Sequence, residues 1–333
     1  MSLAFAGAGT ISVIHGLAAA AVGLPVVAVA SRSIERAEER AAQLGARPRP
    51  YRDLPAGADA VVVATPPSTH VRLARQVLDA ARPVLVEKPL SATLAEADEL
   101  VAADPEGHRV LYGENLAFAP VVRAALDHAR QLGRLGYVEV RALSPRPTWG
   151  ELGQPGWGGG ALFDLGAHPV AVALLLAGDD PPVSVVASLS APSDLAVDDH
   201  AEVIVTFASG LSARIEASWR HADVVWDLQA SSDAGVVRAG ILPTVELERD
   251  GEPVAVAGAP GPDPHVGGLG YVAQLEALAA MAHTGGPSPL AAAFGRSVLE
   301  VVCAAYASAG SGGPVALPFT GPRDRTPLEL WRG

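Results

Sequence analysis

No Asp, Glu, Lys or Arg occurs before Arg32, yet Gly7, Gly9, Gly16, Gly23 and Pro25 cut this apolar opening into short pieces. A membrane helix needs about 20 unbroken apolar residues, and a secretory signal needs a basic n-region. Neither pattern is present, so no membrane span is expected. The pieces read as strand (Leu3 to Ala6), glycine turn (Gly7 to Gly9), helix (Ile11 to Val22) and strand (Pro25 to Ala30). The same alternation continues with a helix from Ile34 to Leu44 and a strand from Ala60 to Ala64. A helix from Thr69 to Ala81, a strand from Val84 to Val86, a helix from Leu94 to Ala102 and a strand from Val110 to Gly113 follow. Strands alternating with helices imply parallel βαβ units in a doubly wound sheet. Continuously apolar strands fit a sheet covered on both faces.

The pattern changes after a helix from Val121 to Leu132. Alternating segments follow: Tyr137 to Leu143, Val183 to Leu189, Ala201 to Phe207, Leu211 to Trp219, Val225 to Ala230, Val236 to Ala239 and Val245 to Arg249. Ser209-Gly210 and Ala234-Gly235 lie between neighbouring runs as hairpin turns. These features predict an antiparallel sheet, interrupted by a helix from Ala161 to Ala177. A Gly/Pro-rich loop at Gly258 to Gly270 leads to helices at Tyr271 to His283 and Leu290 to Ala309. The expected architecture is an α/β Rossmann domain over residues 1–117. An α+β domain with a large, mainly antiparallel open-faced sheet follows over residues 118–333.

The net charge of −12 repels phosphate backbones and argues against a nucleic-acid partner. A single cysteine, Cys303, excludes an intrachain disulfide and a cysteine zinc site. No metal site is expected, and the reading is of a cytoplasmic protein with a small-molecule substrate.

Four constellations carry chemistry. Gly7-Ala8-Gly9-Thr10-Ile11-Ser12 follows a strand and opens a helix, which suits backbone N–H groups approaching a pyrophosphate. Ser12 stands where a third Gly or Ala is usual. Ser31-Arg32-Ser33, at the end of the second strand, lacks the acid that binds an NAD ribose hydroxyl. An arginine between two hydroxyls, with Arg36 a helical turn further, suits a 2′-phosphate and favours NADP over NAD. Glu87-Lys88-Pro89 ends a strand at the sheet edge where ligands bind. Lys88 is the only lysine beside 23 arginines, and unlike arginine it can lose a proton. In the run from Gly158-Gly159-Gly160 to His168, Asp164 and His168 are i and i+4. On one helix they would share a face, about 6 Å apart. That spacing fits a carboxylate orienting an acid/base imidazole, and equally a helix-start Asp beside a structural His.

Together these segments resemble the glucose–fructose oxidoreductase / inositol dehydrogenase / MocA family over nearly the whole chain. The resemblance is carried by Gly7-Ala8-Gly9 with Ile11, by Ala64-Thr65-Pro66 with Pro67 and His70, and by Glu87-Lys88-Pro89. Asn115 with Phe118 and Pro120, the Gly158-to-His168 segment, and the ending from Ala304 to Pro318 add to it. It implies that Lys88 is the catalytic lysine, His168 the acid/base histidine and Asp164 a substrate-orienting aspartate. It implies cofactor contacts from Gly7, Gly9, Thr10 and Ile11 in the glycine turn, and from Ser31, Arg32 and Ser33. Thr65, Pro66, Pro67 and His70 would contribute from the next loop, with Glu87, Lys88 and Asn115. Glu114, Trp149 and Trp157 fall where the substrate pocket is expected, the tryptophans more as packing than as stacking surfaces. The chain departs from the family pattern at Ala171, Ala117 and Pro67, and two of these changes remove polar groups from the substrate side. A homo-oligomer, dimer or tetramer, through the open face of the second sheet is also implied.

The resemblance points to an NAD(P)-dependent oxidoreductase moving a hydride between nicotinamide and a carbinol or carbonyl carbon of a sugar, sugar derivative or related alcohol or ketone. The competing readings are a redox-assisted glycosidase or lyase with tightly bound NAD, and a non-catalytic ligand sensor on the same fold. Retention of Lys88, Asp164 and His168 together argues against the sensor. Lys88 yields a direct test. Lys88→Arg keeps the charge but is wider, planar and effectively never deprotonated. It is expected to fold, bind NADPH normally and lose at least about 10²-fold in turnover. Single-turnover hydride transfer checks this; near wild-type turnover would make Lys88 a chance survivor of the composition.

Overall fold

The computed structural model describes all 333 residues, Met1–Gly333. In the first part of the chain the elements run β1 (Leu3–Ala6), α1 (Thr10–Ala21), β2 (Val26–Ala30), α2 (Ile34–Leu44) and β3 (Arg47–Arg49). They continue as β4 (Ala60–Val63), α3 (His70–Asp79), β5 (Val84–Glu87), α4 (Leu94–Ala103) and β6 (Val110–Gly113). All six strands pair in parallel in the order β3-β2-β1-β4-β5-β6. Every residue of β1, β4, β5 and β6 is buried, as a sheet sandwiched between helices requires. The strand order reverses direction between β1 and β4, which opens a crevice at their C-terminal ends. Gly7 lies there at φ +116°, and a Cβ would meet the Ala64 carbonyl oxygen at 2.1 Å. Only glycine lets the β1 and β4 ends approach so closely.

The rest of the chain forms α5 (Pro120–Gln131), β7 (Tyr137–Pro145), α6 (Ala161–Asp164), α7 (Ala167–Ala177), β8 (Pro182–Ser190) and β9 (His200–Phe207). Next come β10 (Ser212–Ser218), β11 (Arg220–Ser232), β12 (Gly235–Leu242), β13 (Glu246–Arg249) and β14 (Glu252–Pro253). The chain ends with α8 (Pro264–Gly268), α9 (Tyr271–Thr284), α10 (Ala292–Ser311), β15 (Val315–Ala316) and α11 (Pro327–Arg332). Nine strands form one sheet in the order β14-β13-β12-β11-β7-β10-β9-β8-β15. It is antiparallel except at its centre, where β10 lies parallel to β7. This junction is the one exception in a sheet that is otherwise antiparallel, in keeping with the mainly antiparallel expectation. It arises because β8, β9 and β10 form a meander whose last strand returns to β7 in β7's own direction.

Helices α5 and α7 pack against this sheet. Along β9 the residues alternate between buried and exposed, as expected with one face covered and one in water. Much of the exposed face is ion-paired: Arg141 with Asp227, and Arg214 with Glu139, Glu202 and Glu216.

Two compact units emerge: residues 1–91, 95–119 and 259–296, and residues 92–94, 120–258 and 297–333. A single cut at 117/118 therefore differs from the observed division. The segment 259–296 returns to the first unit because α9 packs on α1 and on the 3-10 turn Asn115–Phe118. Gly270 makes this possible, since a Cβ there would meet the Asn115 carbonyl oxygen at 2.2 Å.

The helix expected from Ala161 to Ala177 is also corrected. It breaks at Leu165-Gly166, and the segments Pro155–Asp164 and Ala167–Ala177 are bent by 48°. Pro169 has no N–H to give the Leu165 carbonyl, so one helix cannot run through it, but it fits the first turn of α7. Asp164 and His168 therefore sit on different helices, and the i, i+4 argument for a shared face does not apply. No single helix is long and apolar enough to cross a membrane, although the bent pair passes by length and composition. Residues 167–174 of that pair are buried in the protein, as in a helix that is apolar all round because it lies in a core.

Candidate active site

In the first unit, α1 begins at Gly9, which has no side-chain cap, and its first turn carries no acid. The first N–H groups of a helix lack intrahelical partners and carry partial positive charge, so they suit an anion. A Cβ at Gly9 would meet no atom within 4 Å, and Gly9 and Thr10 are exposed. The turn is open to a phosphate above it, and this chain's residues fit a dinucleotide. Ser12 is buried and donates to the Gly9 carbonyl at 2.6 Å, closing the turn from below. Arg40 of α2, not foreseen from sequence, reaches that same carbonyl at 3.4 Å. It brings a guanidinium to the rim of the cradle.

At the end of β2, Arg32 is exposed. Ser33 caps α2, accepting from the Arg36 N–H at 3.3 Å and donating to Glu35 at 2.7 Å. Tyr51 comes from the turn after β3 and was also missed. Its phenol is pushed up by burial, against hydrogen bonds from the Arg32 backbone and Ser31 and the charges of Arg32 and Arg72. Ser31, Arg32, Tyr51 and Arg72 therefore form one basic corner.

Lys88 sits on a turn held from two sides. Glu87, the last residue of β5, is buried; its Oε1 lies 2.8 Å from His15 Nε2 of α1, and its Oε2 accepts the Lys88 N–H at 3.1 Å. Burial pushes the Glu87 carboxyl up. The hydrogen bond and charge of His15, with the Lys88 charge and N–H, outweigh it and hold the group below its usual value. On the other side, His70 is fully buried, with Nε2 2.8 Å from the Thr65 carbonyl and Nδ1 3.0 Å from the Pro89 carbonyl. Burial pushes its pKa down, more than those carbonyl bonds and the Glu87 charge raise it.

In the second unit, a buried carboxylate and its tyrosine partner crowd Gly159 and Gly160 of the triple glycine. Asp198 accepts from the Gly160 N–H at 2.9 Å, the Leu162 N–H at 2.8 Å and the Tyr306 hydroxyl, and its own carbonyl accepts from Ala161. It caps α6. A Cβ on Gly160 would lie 1.9 Å from the Asp198 carbonyl oxygen, and one on Gly159 would lie 2.7 Å from the Tyr306 oxygen. Burial pushes Asp198 up against these hydrogen bonds, and burial together with the Asp198 charge pushes Tyr306 well up. His168 is buried and its ring stacks 5.2 Å from that of Trp226, tilted by 38°.

Profile comparison matches residues 1–114 to an oxidoreductase family with an NAD-binding Rossmann fold, and residues 122–231 to the GFO/IDH/MocA C-terminal domain. Inositol 2-dehydrogenase of Rhizobium meliloti is 31% identical over 258 residues, 73% of this chain and 76% of that protein. The chain belongs to the Gfo/Idh/MocA oxidoreductase family. UDP-N-acetylglucosamine 3-dehydrogenase of Acidithiobacillus ferrooxidans is 32% identical over 216 residues, spanning 64% of this chain and 65% of that protein. Among solved structures, GenD2 from gentamicin A biosynthesis, in complex with NAD, superposes with a TM-score of 0.84 at 26% identity. The match covers 95% of this chain and 96% of that one.

Against the family's motif positions, the first unit brings Gly7, Gly9, Thr10 and Ile11 to one helix start, and Thr65 and Lys88 to turns that His70 bridges. Pro66 and Pro67 begin the 3-10 turn after β4. Glu87, His70 and Asn115 use their polar atoms inside the protein; the Asn115 amide donates to the Leu269 carbonyl at 2.7 Å. Glu114 is buried and accepts from the Leu116 N–H at 3.0 Å. Asp164 and His168 belong to the second unit. Trp157 packs on a core of Leu152, Leu165 and Trp219, whereas Trp149 is 48% exposed. Trp226, which sequence reasoning passed over, is the tryptophan on His168; its place in a strand of otherwise ordinary alternation gave no signal.

The packing at Gly160 has a measurable consequence. Gly160→Ala must displace the Asp198 backbone, and overpacking of this kind costs about 1–3 kcal/mol or more. A clear loss in the urea midpoint is expected, and an unchanged midpoint would show that α6 is not clamped by Asp198.

Proposed function

We propose that this protein is a dehydrogenase or reductase that prefers NADP and acts on a carbinol or carbonyl carbon of a sugar or sugar derivative. The open, uncapped cradle at Gly9, backed by Arg40 and flanked by the arginine corner at the end of β2, carries the reading. Gly7, Gly9, Thr10 and Ile11 would hold the pyrophosphate, and Arg32 with Ser31 and Arg36 the 2′-phosphate. When bound, the nicotinamide accepts or donates the hydride at C4. Lys88 would donate a hydrogen bond to the substrate oxygen, stabilising the alkoxide that develops there. His168 would take or give the hydroxyl proton, with Asp164 orienting the substrate. Sugar nucleotides are the first substrates to try, because UDP- and dTDP-linked sugars are named for several relatives.

A second reading, preference for NAD, is favoured by the Glu35 carboxylate, an acid that accepts from Ser33 at the end of β2, and by NAD bound in GenD2. Fluorescence titration separates the two. NADPH should bind the wild type more tightly than NADH. Arg32→Ala should weaken NADPH by roughly tenfold or more, the loss of one charge-assisted contact, and leave NADH nearly unchanged. Tighter NADH binding by the wild type decides for NAD.

The reaction is tested by screening sugar nucleotides, free sugars, keto-sugars and polyols for absorbance change of NADP(H) and NAD(H). On a substrate so found, His168→Ala should keep cofactor affinity and lose about 10²–10⁴-fold in turnover. Full activity in that mutant would make His168 structural.

A further inference from the structure

We propose that His15 is a positioning residue for Lys88, acting through Glu87. The inference rests on the reading of Lys88 as the catalytic lysine.

His15 is the one titratable residue of α1, a helix otherwise made of Ala, Val, Leu, Ile, Gly, Ser and Thr. It is wholly buried between the edges of Phe5 and Tyr271, at 6.3 and 5.5 Å between ring centroids. Its Nδ1 has no partner, and its Nε2 points at Glu87 Oε1. A carboxylate oxygen only accepts, so the hydrogen resides on Nε2. The imidazole thus aims one N–H at the carboxylate, and the rings of Phe5 and Tyr271, set at 65° and 87° to it, hold it in place. Glu87 is fixed in turn, and its second oxygen holds the Lys88 N–H.

The consequence lies in the backbone of one residue. A turn at a strand end has no ladder partner to fix its N–H groups, and Lys88 takes its fixed point from Glu87 instead. The carboxylate, being buried, has no water to substitute for His15. Removing the Nε2–H leaves Oε1 unpaired, and the side chain can then rotate away from the Lys88 N–H. The pair also joins α1, whose start faces the dinucleotide, to the turn bearing the lysine. A residue one and a half helical turns from the pyrophosphate cradle thereby sets the aim of the catalytic amine without touching cofactor or substrate.

Because Lys88 is the only lysine, protein labelled with 15N-lysine gives a single backbone cross-peak, which reports this N–H directly. In His15→Leu the peak is expected to move upfield as the carboxylate bond is lost. His15→Gln, whose amide N–H reaches the position of Nε2, should restore it. His15→Asn, one bond shorter, should not. On the substrate found by screening, kcat of His15→Leu should fall on the order of 10–100-fold, the scale of a misplaced reacting group, with KM little changed. A wild-type peak position in His15→Leu overturns the proposal, as does equal behaviour of Gln and Asn. Should His15→Leu fail to fold, the Gln and Asn pair decides alone. Wild-type kcat in Lys88→Arg would overturn the lysine reading whatever the cross-peak does. A slow Lys88→Arg beside a His15→Leu of wild-type kcat would overturn the His15 proposal only.

Discussion

Removing a carboxylate from water costs several kcal/mol unless its oxygens find donors inside the protein. Each unit of this protein places such a carboxylate beside its candidate site residues. Glu87 is sandwiched between His15 and the Lys88 N–H, and Asp198 between the start of α6 and the Tyr306 hydroxyl. Neither group is free to move, because every displacement leaves an unpaired charge or an orphaned N–H in a medium without water. The turn of Lys88 and the start of α6, which leads to Asp164, inherit that rigidity. A developing negative charge is best met by donors that are already in place.

The glycines follow from the same logic of close approach. Gly7 lets the β1 turn press on the end of β4, and Gly270 lets the 259–296 segment return to Asn115. Gly159 and Gly160 leave room for Asp198 and Tyr306. Gly9 is the contrasting case, with nothing within 4 Å of a Cβ. Four of these glycines are filled by the protein itself, and one faces space that a phosphate fits. The space a Cβ would meet separates the glycines that close packing requires from Gly9, although all look alike in the sequence.

Much of the first unit was legible because its signals are local. The βα alternation, the glycine turn and the bounds of α2 follow from apolar runs and turn residues in sequence order. The sheet of the second unit was legible as alternating segments, and the ends of the seven expected strands were foreseen to within a few residues except at the long β11, while the two-residue edge strands β14 and β15 are too short to show alternation. Its central parallel junction was not, since direction within a sheet depends on how many strands intervene. The α6–α7 break carried a visible signal, Pro169, that the apolar periodicity masked. Of the candidate site residues, Lys88 stood out by composition and the glycine turn by context.

The sequence by itself determined most of the longer strands and helices, where a glycine turn of dinucleotide type lies, and that one lysine survives among arginines. These depend on contacts between near neighbours, and periodicity records them. Only the tertiary structure decided that His15 pairs with Glu87, that His70 bridges the Thr65 and Pro89 carbonyls, and that Asp198 caps α6. It also placed Trp226, and not Trp149, on His168. Apart from Thr65, five residues from His70, these hydrogen-bond partners are 19 to 72 residues apart along the chain. They are chosen by the need of each buried polar atom for a donor or acceptor, a demand that exists only once burial has removed the water.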